Sequence, residues 1–187
     1  MTEKPKELED FFIQTIEQSV NRHQLDVSGQ AKDYIATMLL KFADTLQLFP
    51  EQNAGIWLEP LTLQCQRIMG ETNALQRKKR QQELGDHCLF LTGYFYDFLL
   101  RHGQANVGYY ALIGSTAYQQ TGQFPLVEMS QKFNELYLVI GDLHLPQLDE
   151  KKVLEIYDKW LQTGDRYYAS LLLGKGIVPQ RITKGSN

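Results

Sequence analysis

The chain has 187 residues and a formal charge of −3, with 19 Lys and Arg against 22 Asp and Glu. That length suits one domain, able to bury roughly 70 % of its unfolded surface without a disulfide or metal staple. The charge balance disfavours a dedicated nucleic-acid binder, no apolar run approaches the ~18 residues of a membrane span, and the charged opening lacks the apolar stretch of a secretory signal.

A cytosolic chain is therefore expected, with Cys65 and Cys88 reduced. Leu outnumbers Val and Ile combined, and unbranched side chains keep more rotamer freedom in a helix than β-branched ones. The expectation is an all-α fold: a single irregular bundle of about seven helices over residues 1–173, with a flexible tail over 174–187.

Leu8, Phe12, Ile16 and Val20 recur at helical spacing and predict a first helix over Lys6 to Asn21. Ser28 is placed to cap a second helix with the stripe Ala31, Tyr34/Ile35, Met38/Leu39, Phe42 and Leu46, ending before Pro50. Residues 51–55 are turn-rich. Pro60 suits the first position of a third helix, which runs with a defect at Gly70 through Arg77-Lys78-Lys79-Arg80 to Leu84. Gly85-Asp86 reads as a break. A fourth helix spans His87 to Arg101, with His102 and Gly103 as its ending. The fifth covers Val107 to Gln120 and closes at Gly122. Phe124-Pro125 opens a sixth that stops near Gly141, and Leu148-Asp149 a seventh that continues to about Leu173.

Of the 9 Phe, 10 Tyr and 2 Trp, a dense group lies between Phe90 and Tyr118. The fourth helix is apolar all round, which marks a central element packed on several sides. Its few polar residues are therefore informative. Asp86, His87, Tyr94, Asp97 and Arg101, with Tyr109, Tyr110 and Tyr118 of the fifth helix, form the candidate ligand-binding set. Asp97 and Arg101, four residues apart, can form an ion pair. Two readings compete for this set. It is either a hydrogen-bonded Tyr/Asp network that fixes helix packing, or a polar pocket with apolar walls. Gly93 and Gly114 in mid-helix imply close approach of a neighbouring helix or a ligand.

Glu83, Asp86, His87 and Cys88 are the nearest thing to a metal cluster, with Asp97, His102, Asp142 and His144 as further candidates. Nevertheless, the Glu-x-x-His pairs of di-iron bundles are missing. No nucleophile elbow, P-loop or dinucleotide fingerprint occurs, so no catalytic residue is assigned and no cofactor is called for. Arg77–Arg80 reads as a solvated turn late on a helix, complementing its dipole, with phosphate contact as the rival.

The segment Leu84-Gly-Asp-His-Cys-Leu-Phe-Leu-Thr-Gly-Tyr-Phe95, followed by Val107-Gly-Tyr-Tyr-Ala-Leu-Ile-Gly-Ser-Thr-Ala-Tyr118, resembles a pattern of uncharacterised bacterial helical proteins. The resemblance implies a bacterial, cytosolic, all-helical protein and transfers no activity. The function expected is a non-enzymatic module that binds a small molecule or a protein, with a homodimer among its partners. The alternative is a metal- or haem-dependent oxidoreductase built around Asp86, His87 and Cys88.

Overall fold

A computed structural model describes residues 3–48, 60–102 and 107–180. Among these the secondary structure is all helical, with no strand. The helices are α1 (Glu3–Arg22), α2 (Gly29–Leu48), α3 (Leu61–Gly70), α4 (Ala74–Tyr94), α5 (Tyr96–His102), α6 (Val107–Thr121), α7 (Leu126–Gln131), α8 (Phe133–Gly141), a 3₁₀ segment (Asp142–Gln147), α9 (Glu150–Thr163) and α10 (Arg166–Gly174). None is long and apolar enough to cross a membrane. The expected turn at 51–55, Gly103, the side chain of His102 and tail residues 181–187 lie outside the described residues.

Among the described residues ten α-helices stand where seven are expected: the third, fourth, sixth and seventh are each divided, and the second part of the third joins the first part of the fourth. The third helix ends at Gly70, where Glu71 turns extended (φ −78°, ψ 119°). Asn73 then caps α4, its side chain accepting from the amides of Leu75 (2.9 Å) and Gln76 (3.1 Å). The sixth divides at Lys132 (φ −110°, ψ 17°). In the seventh, Gly164 adopts the left-handed region at φ 68°, and Asp165 caps α10 through the Tyr167 amide at 2.9 Å.

The break expected at Gly85-Asp86 does not occur. α4 runs through it to Tyr94, and the chain bends only at Phe95 (φ −104°, ψ 30°) before α5. Glycine there costs helix stability of about 0.5–1 kcal/mol, but a Cβ at Gly85 would sit 2.3 Å from the Tyr118 ring. Gly85 thus serves close packing, not termination. The same holds for Gly114, against Phe133 and Cys88, and for Gly93, against Ile140 and the Tyr137 carbonyl.

Residues fall into two compact units, 1–140 and 141–187. In the first, α4 has α3 and α6 as neighbours, α1 pairs with α2, and α7 packs on α6 and α2. Residues 84–86 and 88–93 of α4 are all buried, as an all-round apolar helix requires. Full burial of Leu89 and Phe90 contributes roughly 1.5–3 kcal/mol each. The Ser28 cap is present: its Oγ accepts from the Ala31 amide at 3.2 Å. Glu128 of α7 reaches the same turn, taking the Ser28 amide at 3.0 Å and the Ser28 hydroxyl. Lys132 binds Glu128 at 3.1 Å and also the Asp26 carbonyl.

In the second unit, Asp149 caps α9 through the Lys152 amide at 2.8 Å. Ile156, Tyr167, Tyr168, Leu171 and Leu172 are buried together with Leu143 and Leu145. Residues 175–180 follow α10. The Ile177 amide donates back to the Leu172 carbonyl at 2.9 Å, Gly176 takes φ 76°, and the Tyr157 hydroxyl donates to the Gln180 carbonyl at 3.1 Å.

Candidate functional site

The continuity of α4 places Gln82 and Asp86 one turn apart on one face. Asp86, 6 % exposed, is the hub of a network drawn from three helices. Tyr34 of α2 donates to its Oδ1 at 2.5 Å, and Tyr118 of α6 donates to the same oxygen at 2.8 Å. Gln82 Nε2 donates to the Tyr34 hydroxyl at 2.9 Å. Tyr118 is fully buried, and its hydroxyl also lies 3.8 Å from Met38 Sδ.

Burial dominates the proton affinities here. Loss of hydration raises the Asp86 carboxyl above the usual carboxylate range, against the two tyrosine donors and the charge of Lys41, which favour the ion. Burial, then the neighbouring Asp86 charge, holds both Tyr34 and Tyr118 well above the ordinary phenol value. Cys88 is pushed strongly up by burial and then by Cys65, and Cys65 itself is raised by burial. A thiol held protonated in apolar surroundings is a small hydrophobe rather than a nucleophile.

Of the eight residues singled out from the sequence, Asp86 and Tyr118 are joined through their side chains. His87 turns towards α3, its Nδ1 lying 3.1 Å from Gln64 Nε2. Tyr94 stacks on Phe90 (5.6 Å, 10°), which in turn stacks on Phe42 (4.4 Å, 4°). Asp97 and Arg101 lie on α5, beyond the bend, where Arg101 Nε donates to the Asp97 backbone carbonyl at 3.2 Å. Tyr109 and Tyr110 stand edge to face at the start of α6, the first 40 % and the second 9 % exposed. Burial raises Tyr110 as well.

Tyr34 and Gln82 were missed. Tyr34 was counted into an apolar stripe, although its hydroxyl was the signal. Gln82 was separated from Asp86 by the expected break.

Among the described residues no three His, Cys, Asp or Glu side chains gather to hold a metal ion. Asp86, His87 and Cys88 are consecutive on a helix, about 100° apart, and meet three different neighbours: the tyrosines, Gln64, and the Gly114 backbone.

The basic run Arg77–Arg80 lies in the first two turns of α4, not late on a helix as expected, because the helix starts at Ala74. Arg77 donates to the Glu71 carbonyl from Nε (3.0 Å) and Nη2 (2.6 Å), and Arg80 Nε meets Glu71 Oε2 at 3.2 Å. These two arginines hold the α3–α4 turn. The Asn73 amide, then partly offsetting loss of hydration, then Arg80, lower the Glu71 carboxyl below its ordinary range.

A separate groove of about 660 Å³ lies in the second unit, lined by Leu148, Val153, Leu154 and Ile177 with Asp149, Glu150 and Lys175. Lys175 Nζ donates to the Leu145 carbonyl at 3.3 Å. No known protein family, curated protein or solved structure matches the chain.

Proposed function

We propose that the chain is a non-enzymatic binding module that takes an amphipathic small molecule in the groove beside α9. The observation that carries this reading is the groove itself: four aliphatic walls with charged groups among them, in a volume suited to a small ligand. Support comes also from the aromatic centre. There the space beside Gly93 and Gly114 is filled by the protein's own Ile140 and Phe133, and burial favours the protonated forms of the thiol and phenols. The oxidoreductase alternative has no comparable support, since its three residues face apart.

The reading keeps the cytosolic, bacterial setting and the homodimer suggested by the sequence; sedimentation of the purified chain checks the dimer. The groove is tested with anilinonaphthalene sulfonate, whose fluorescence rises in an apolar site. Leu154, 67 % exposed, is replaced by Glu, and Tyr109→Ala serves as the control. Enhancement lost in L154E and kept in the control is the expected result. Equal enhancement in both variants, or none in the unaltered chain, overturns the assignment.

A further inference from the structure

We propose that Asp86 is a proton-operated latch at the junction of α2, α4 and α6, tightened when its carboxyl takes up a proton and loosened when it gives one up. The geometry is that of a single acceptor shared by two helices. Tyr34 of α2 and Tyr118 of α6, their rings edge to face, reach the same oxygen at 2.5 and 2.8 Å. Gly85 lets the Tyr118 ring lie directly on the α4 backbone beside it. A neutral carboxyl still offers that oxygen to both hydroxyls, so protonation does not dismantle the network. It removes a charge from a place where only 6 % of the residue meets solvent, and burying a charge is costly unless it is well paired.

The groups facing the carboxyl divide as follows. From α2 come the Tyr34 hydroxyl and the Lys41 charge, from α6 the Tyr118 hydroxyl, and from α4 itself the Glu83 charge, with Gln82 acting on Tyr34. The donors and Lys41 favour the ion, whereas burial and Glu83 favour the acid, and burial is the largest of these influences. The short Tyr34 bond lies in the range of charge-assisted hydrogen bonds, which limits the shift without reversing it.

The sign follows by linkage. In the unfolded chain Asp86 titrates near ~4, and in the folded chain above that. Between the two values the folded state binds more protons, so stability falls as pH rises through the folded value and is regained on acidification.

Two measurements on the full chain decide the matter. The first follows the side-chain carboxyl ¹³C signal of Asp86 through a pH titration. A midpoint clearly above the ~4 of an exposed aspartate is expected, and one at or below it overturns the latch. The second compares thermal midpoints of the unaltered chain and Asp86→Asn, which keeps an acceptor oxygen but cannot titrate. As pH falls from 7 through that titration midpoint, the unaltered chain should gain thermal stability on the variant. Parallel curves overturn the proposal. Should D86N fail to fold, the titration of the unaltered chain still decides.

Discussion

The Asp86 centre and the α9 groove use the same ingredients, apolar walls and a few charged or hydroxyl groups, with opposite outcomes. At the centre the polar groups satisfy one another: Tyr34 and Tyr118 converge on Asp86, and glycines at 85 and 114 draw rings into the remaining space. The groove is lined by aliphatic side chains of Leu148, of α9 and of the segment after α10, and Leu154 remains 67 % exposed. Converging polar groups on an apolar background therefore mark a site only when their hydrogen-bonding capacity is left over. Where it is used up internally, the same pattern marks the keystone of a fold.

Mutations put this contrast to the test. The largest effect is expected at Asp86→Ala, which strips the acceptor from the fully buried Tyr118 hydroxyl and the half-buried Tyr34 hydroxyl. A loss of about 2–4 kcal/mol should appear in urea denaturation at pH 7. A loss below ~1 kcal/mol would mean that water enters the centre, bringing it closer to a pocket. Next comes Gly85→Ala. On helix propensity alone it would stabilise, but its new Cβ meets the Tyr118 ring at 2.3 Å, so a net cost of about 1–3 kcal/mol is expected from overpacking. A stabilised variant would restore the idea that Gly85 serves the chain path. Asn73→Ala removes the α4 cap and should cost about 1 kcal/mol, read as a lower urea midpoint with unchanged slope. Smallest is Leu154→Glu, expected to stay within about 0.5 kcal/mol of the unaltered chain while abolishing dye binding.

Helix positions were legible where periodicity and caps agreed. Ser28, Asp149 and Gly122 stand where their chemistry placed them, Gly122 at φ 62°. Asp86 was legible as a polar residue in line with one stripe of an apolar helix, though placed in the break before it. Its partners were not, because two principles compete at Gly85. Glycine weakens a helix, which suggests termination, but it also admits a ring, and only the position of Tyr118 decides between them. Reading a break there hid the Gln82–Asp86 face, while the boundary between Gly70 and Asn73 is what puts Arg77–Arg80 early on its helix. The division at Gly164-Asp165, by contrast, was written in the residues. A left-handed cap followed by an N-cap aspartate is a local signal, and the apolar stripe on either side obscured it.

The bonds between Ser28 and Glu128 span 100 residues of chain. During synthesis, at ~5–20 residues per second, Glu128 emerges roughly 5–20 s after Ser28. In that interval α2 has only its own serine to close its first turn, through the Ala31 amide. The α1–α2 pair is thus a nascent hairpin with provisional ends. The arrival of α7, bringing Glu128 and Lys132 to Ser28 and Asp26, converts a local fold into a long-range one. Truncated chains that stop before residue 126 should accordingly keep the helicity of α1 and α2 while exchanging the amides of that turn freely.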